Sequence, residues 1–405
     1  MMIENYDLAY RANRERTSSL FSSIDPQAYH DAPIPLRHPF IFYHGHLPAF
    51  SFLTLNRFHR GEEALDENLE HLFRRGIDPE DRVKARGLSI GAWPDRGTVE
   101  RFIAECDRRV LAALQKSDPA DRDAILTILE HEDMHHETLT YIIHRLPEEM
   151  KRHARFPHRD VRIAPSDPIS IDRGIAVLGR PMGDEHFSWD NERGQLECSV
   201  DAFAIDRFNV TNGDWLQFVN AGGPIPIFWD RAAEGWIVRT CFERIPLPHS
   251  WPVYVTLEQA QGYAQWRGTR LPTEAEYHRA AFSTPWGETR PYPWGEDDPS
   301  EHRGNFDFRR FDPEPVDATP AGASAWGVEG LVGNGWEWTT TPFAPFPGFT
   351  PHRFYPAYSV DFFDGRHYVL KGASPVTPRR LLRSSFRNWF YPNYPYVYAT
   401  FRCVR

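Results

Sequence analysis

Residues 126–146, LTILEHEDMHHETLTYIIHRL, constrain what this chain can become more than any other stretch. Apolar residues recur at helical spacing with histidines and acids between them, which predicts an amphipathic helix carrying polar chemistry. On that helix His131 and His135 are four residues apart, about 40° around the axis, so both imidazoles can reach one metal ion. Two other motifs share the stretch. HEDMH satisfies His-Glu-x-x-His, the zinc-peptidase helix with Glu132 as general base. Glu132 and His135 also form Glu-x-x-His, half of a di-iron site, but the helical half holds no second copy. A third reading joins His131 and His135 to a histidine of another helix as a three-histidine iron site, and an ordinary polar helix face is the simplest alternative.

At 405 residues the chain exceeds one ordinary core, which predicts two domains. Periodic apolar segments run through Tyr6–Leu20, Phe40–Leu55, Leu65–Phe73, Val99–Leu114 and Ile125–Leu146, with Gly and Pro mainly between them. This is the pattern of an up-and-down helix bundle, whose interior can carry inward-facing ligands. Near residues 155–165 the texture turns to Pro, Gly, Trp and Tyr, so the domains are expected over 1–158 and 159–405. The second is expected to be α+β, with short strands such as SVDAFAIDRF, long loops, and helices at Leu257–Trp266 and Thr273–Phe282, the latter opened by a Thr273/Glu276 capping box.

Net charge is −10 without a basic stripe, which argues against nucleic acid as a partner. No apolar run approaches the roughly 18 residues of a membrane span. The N-terminus lacks the basic-then-apolar order of a secretory signal, and a cytoplasmic protein is expected. Four scattered cysteines, Cys106, Cys198, Cys241 and Cys403, form no Cys-x-x-Cys motif and are expected to be reduced.

The choice between the metal readings turns on a third histidine. Residues 37–55, RHPFIFYHGHLPAFSFLTL, are an apolar segment interrupted by His44 and His46. A histidine in such a segment is often a satisfied core residue, but two of them in the same bundle as His131 and His135 favour a ligand. Neutral imidazoles suit Fe(II), and three on one side leave positions open for substrate and O2.

FYHGHLPAF, WPDRGTVERFIAECDRRVLAAL and HEDMHHET together resemble the helical, DinB-like domain of the non-heme iron sulfoxide synthases of ergothioneine biosynthesis. DNERGQLECSVDAFAIDRFNVTNGDWLQFV, WRGTRLPTEAEYHRAA, YPWGED, GNFD, GNGWEWTTTPF and SFRNWF resemble the formylglycine-generating-enzyme-like, C-type-lectin-related domain that follows it in those synthases. The likeness spans nearly the whole chain in the right order. It implies an α+β protein of two domains, with Fe(II) held by His46 of the Gly45-His46 step and by His131 and His135, and with O2 as co-substrate. Glu137 completes the family's His-x-x-x-His-x-Glu motif but falls about 240° from His131 on the wheel, away from the metal. The paired cysteines of the formylglycine-generating enzyme are missing, since Cys403 has no cysteine neighbour, so that activity is not expected.

The implied reaction joins sulfur to the imidazole of hercynine, a trimethylated histidine. A quaternary ammonium is recognised by aromatic faces, and the resemblance places Asn388, Trp389 and Phe390 around the betaine. Tyr355 and Tyr358 are candidates for a tyrosine that donates a proton or electron. Arg86 and Arg96, expected in the loop before the fourth helix, are candidates for a donor carboxylate. Two departures lie near the expected substrates: Met134 stands where the family often carries Gln, and GASPV, with Ala373 and Pro375, replaces Gly-Gly-Ser-Trp. They open the donor to a thiol or a selenosugar, hence ergothioneine or selenoneine, and leave unmethylated histidine as another acceptor. A zinc peptidase and a non-catalytic lectin-like module are the competing classes.

Overall fold

The computed structural model describes residues 5–35, 37–74, 93–152, 157–163 and 167–405. The chain divides into two units, Met1–Ala154 and Arg155–Arg405.

The first unit is helical. Helix α1 (Tyr6–Ser22) is capped by Asn5, whose side chain accepts from the Leu8 N–H. Helix α2 (Phe40–Ser51) contains Pro48 and runs on into a wider π-helical stretch, Phe52–His59, in which the Arg60 N–H reaches back five residues to the Leu55 carbonyl. Helix α3 (Glu67–Phe73) starts at Asp66, α4 (Arg96–Leu114) at Asp95, and α5 (Arg122–His144) follows a short turn at Pro119–Asp121. Helix α2 packs on α3, α4 and α5, and α1 lies along α5 and α4. Its residues 40–43 are fully buried, as is Leu47, so α2 is the apolar centre of the bundle. Along α5 the residues from Ala124 to His144 are buried almost without interruption, so its polar side chains must find partners or ligands within the protein.

The second unit is α+β. Its main sheet has the order β10-β9-β8-β11, formed by β8 (Gly335–Pro342), β9 (Tyr368–Ala373), β10 (Asn388–Phe390) and β11 (Ala399–Thr400). Two hairpin-like pairs join β1 (Ile169–Ile171) to β4 (Phe203–Ile205) and β2 (Gly174–Leu178) to β3 (Leu196–Val200). A three-stranded sheet contains β5 (Trp229–Ala232), β6 (Gly235–Arg239) and β7 (Arg244–Pro246). Helices α7 (Leu257–Trp266) and α8 (Glu274–Phe282) lie where the sequence places them, and Thr273 and Glu276 make the reciprocal capping box. A third helix, α6 (Asn212–Asn220), was not expected, because it is short and opens on Asn, Gly and Asp, but it is held by a Thr211/Asp214 box.

Two fully buried ion pairs brace this unit. Arg402 grips Glu337 of β8 with both side chains 0% exposed, and its remaining donors go to the carbonyls of Asp206, Arg207 and Glu329. Arg387, just before β10, pairs with Glu274 at the start of α8. The GNGWEW motif is thus a core element, with Trp336 and Trp338 buried around Glu337.

Candidate metal centre

His46 comes from α2, and His131 and His135 from successive turns of α5. Their ring centroids are 5.2 Å (His46 to His131), 5.2 Å (His46 to His135) and 4.5 Å (His131 to His135) apart. One nitrogen from each lies within 4.8 Å of the others, and this is the one His/Cys/Asp/Glu cluster of metal-holding geometry among the described residues. All three rings are buried. Burial depresses the imidazolium form of each, lowering His46 to about 4 and holding His131 and His135 well below the ordinary value. Neutral imidazoles at neutral pH are the form that binds a metal.

The donor set fits a metal. A carbonyl oxygen can only accept, so the 2.6 Å contact between His46 Nδ1 and the Phe73 carbonyl places the proton on Nδ1 and leaves the Nε2 lone pair free of it. His46 Nε2 and His135 Nδ1 are buried and meet no hydrogen-bond partner in the protein. Aromatic rings wall the cluster: Phe50 stacks on His131 at 3.5 Å and 11°, Phe42 on His46 at 4.9 Å and 19°, and Tyr43 lies 5.8 Å from His135. These walls escaped the sequence reading, in which the phenylalanines of α2 were simply apolar.

His44, two residues from His46, faces elsewhere. Its Nδ1 is 2.6 Å from Tyr29 Oη and its ring lies 4.5 Å from Phe21. Glu132 also points away from the histidines, toward α1, where it accepts from Arg14 at 2.7 Å and Thr17 at 2.6 Å. Glu137 accepts from Tyr141 one turn on.

Met134 is half-buried on α5, one residue before His135. Arg96 is not in a loop: it is the first residue of α4, pairs with Glu100 at 2.8 Å, and lies over the Tyr29 ring at 5.0 Å. The Asp95 side chain, accepting from the Thr98 N–H, caps the helix and sets its start at this residue. Arg86 lies outside the described residues.

In the second unit, Asn388, Trp389 and Phe390 form β10, half-buried beside β9. Trp389 stacks on Phe343 at 4.3 Å and 8° and meets Tyr358 edge-on at 5.2 Å. Tyr358 is buried against Trp189 at 4.1 Å, whereas Tyr355 is half-exposed. The Asn388 Oδ1 accepts from the Trp389 N–H. Phe390 turns to Tyr394 at 5.0 Å.

What holds these segments is the turn Asp190-Asn191-Glu192, whose organising part the sequence reading missed. All three side chains are buried. Asp190 accepts from Ser359 Oγ at 2.6 Å and the His352 N–H at 3.2 Å, fixing the loop that carries Tyr358. Asn191 donates to Ser359 Oγ and accepts at its carbonyl from Arg387. Glu192 receives Arg383 twice and Ser385 once; burial opposes its charge, but Arg383 prevails and its pKa stays lowered. Acids in a run with Trp189 were the available signal, since buried carboxylates need such partners. None of the four cysteines is in a disulfide, and Cys403 has Val404 and Arg402 as neighbours.

Comparison with known proteins follows the same division. Residues 9–156 match the DinB superfamily and residues 154–405 the sulfatase-modifying factor enzyme 1-like domain. The chain is 40% identical to a hercynine oxygenase of Mycobacterium tuberculosis over 249 residues, 56% of this chain and 58% of that protein. It is 36% identical to a hercynine oxygenase of Mycolicibacterium thermoresistibile over 330 residues, 75% of this chain and 73% of that protein. Ergothioneine biosynthesis protein 1 of Schizosaccharomyces pombe is 28% identical over 92% of this chain, which spans 52% of that longer protein. No described helix is long and apolar enough to cross a membrane. The chain belongs to the family of the hercynine oxygenases, and in it a DinB superfamily domain is followed by a sulfatase-modifying factor enzyme 1-like domain.

Proposed function

We propose that this chain is an iron(II)- and dioxygen-dependent enzyme that joins sulfur or selenium to the imidazole carbon of hercynine, a step of ergothioneine or selenoneine biosynthesis. The observation that carries this reading is the buried cluster of His46, His131 and His135, in a chain whose relatives are named hercynine oxygenases. Iron held by three imidazoles supplies dioxygen activation, with positions left over for substrates.

The chain's own residues do the rest. Burial keeps the three imidazoles neutral, and Phe42 and Phe50 exclude water from two of them. Trp389 and Phe390 offer aromatic faces to the trimethylammonium. Asn388 has its oxygen taken by the Trp389 N–H, so its NH2 is the group it offers to the hercynine carboxylate. Tyr358 or Tyr355 supplies the phenolic proton, and Arg96, with Arg86, serves the donor's carboxylate. With a thiol donor and a sulfoxide product, one thiol S–H, one imidazole C–H and one O2 are consumed, a C–S bond and an S=O bond form, and one water leaves.

The test is one assay with parallel donors. Purified Fe(II) protein, O2 and hercynine are offered cysteine, γ-glutamylcysteine and a selenosugar, and the product is read by mass spectrometry. One adduct on hercynine, lost when His46 is replaced by alanine, is the expected result. Stoichiometric zinc with peptide cleavage, or no metal binding at all, overturns the reading.

A further inference from the structure

Gly45 lies in the middle of α2, where glycine costs roughly 0.5–1 kcal/mol relative to alanine. Positive φ does not explain it, because Gly45 is absent from the residues in that region. Close approach does: a Cβ added at Gly45 would sit 2.3 Å from Cζ and 2.4 Å from Cε1 of Phe73. Those distances are far inside van der Waals contact, and the ring has little room to retreat. Phe73 is 0% exposed, stacks on Phe102 at 5.9 Å and 22°, and lies 6.5 Å from Phe42.

The main chain of Phe73 meets the next residue of α2. Phe73 is the last residue of α3, so its carbonyl is one of those a helix end leaves without an intrahelical partner. Its partner is His46 Nδ1 at 2.6 Å. One residue of α3 is thus pinned at two points on consecutive residues of α2, by its ring on Gly45 and by its carbonyl on His46. A carbonyl that holds the Nδ1 proton fixes both the tautomer and the rotation of a metal-binding imidazole.

We propose that Phe73 is the positioning residue of the metal centre, and that the bare Cα of Gly45 is what admits it. With the ring seated on residue 45, the carbonyl holds His46 so that Nε2 points toward His131 and His135. A methyl group at position 45 lifts the end of α3 and releases the ring of His46. The proposal rests on the reading of the three histidines as metal ligands, and the two fail in different ways.

The experiment is Co(II) titration of the full-length protein, followed by absorbance. Gly45→Ala is expected to weaken Co(II) binding about 10- to 100-fold, the range for loss of such a supporting partner. Adding Phe73→Leu, which keeps the carbonyl but shortens the side chain, is expected to restore most of the affinity. Equal affinity in Gly45→Ala and wild type overturns the proposal, and so does a double variant as weak as the single one. Wild-type protein that binds no divalent metal overturns the ligand reading instead. Should Gly45→Ala not fold, nitrogen-15 NMR of the wild-type Zn(II) protein decides. His46 bound through Nε2 with a proton on Nδ1 supports the proposal, and binding through Nδ1 overturns it.

Discussion

Arg14 of α1 and Glu132 of α5 form a buried ion pair, Nη1 to Oε1 at 2.7 Å, with the two side chains 15% and 1% exposed. Thr17 donates to the same oxygen, and Tyr10 and Asp107 extend the network around Arg14. The acid that a zinc-peptidase motif would use as a base is here a clamp between helices.

Removing one partner of such a pair leaves a buried charge uncompensated, which costs about 3–5 kcal/mol. Arg14→Leu is therefore expected to lower the stability of the protein by that order in chemical denaturation. Glu132→Gln, assayed at a temperature where it is folded, is expected to retain metal and turnover. Complete loss of turnover with metal and fold intact would return Glu132 to the chemistry.

Trp389 is flat against Phe343 and edge-on to Tyr358. Trp389→Leu keeps bulk but removes the π face. Hercynine affinity, by calorimetry, is expected to fall about 3- to 30-fold, the worth of a partly desolvated cation–π contact, while metal content stays at the wild-type level. Unchanged affinity would remove β10 from the binding site.

Ser359 joins Asp190 and Asn191 beside Tyr358. Ser359→Ala strands a buried carboxylate oxygen, at a cost of about 1–3 kcal/mol. Its kcat is expected to drop while hercynine affinity holds, because the loop carrying Tyr358 loses its anchor. Ser359→Thr, which keeps the hydroxyl, is expected to recover turnover. A fall in stability with kcat unchanged would leave Asp190 and Ser359 a purely structural role.

His278 of α8 is buried, and neither ring nitrogen finds a hydrogen-bond partner. Burial, reinforced by the charge of Lys371, lowers its pKa from 6.5 to about 3. The folded value lies below the unfolded one, so the unfolded chain takes up the proton first as pH falls. Stability is full above about pH 6.5 and declines toward pH 3. His278→Leu removes both effects: a gain of about 1–3 kcal/mol at pH 7 is expected, with a shallower acid slope in denaturation curves at stepped pH. An acid slope identical to wild type would refute this account of His278.

The sequence by itself determined whatever local periodicity and short-range chemistry encode. The four-residue spacing of His131 and His135 puts them on one side of a helix wherever that helix packs. The Thr273/Glu276 box, complete within four residues, marks the start of α8. The change of texture after the bundle and the motifs of the second half carried the family likeness. Only the tertiary structure decided what depends on how elements are turned toward one another. His44 and His46 are about 200° apart on their helix, so the packing of α2 against α5 and α3 is what sends one to Tyr29 and the other to the cluster. Glu132 and the Asp190–Glu192 turn acquire their roles from partners far along the chain, Arg14, Arg383 and Ser359, which no local pattern pairs with them. The histidine that completes the cluster with His131 and His135 is one their spacing cannot name, because a ring is aimed by its surroundings, here by a carbonyl at the end of another helix.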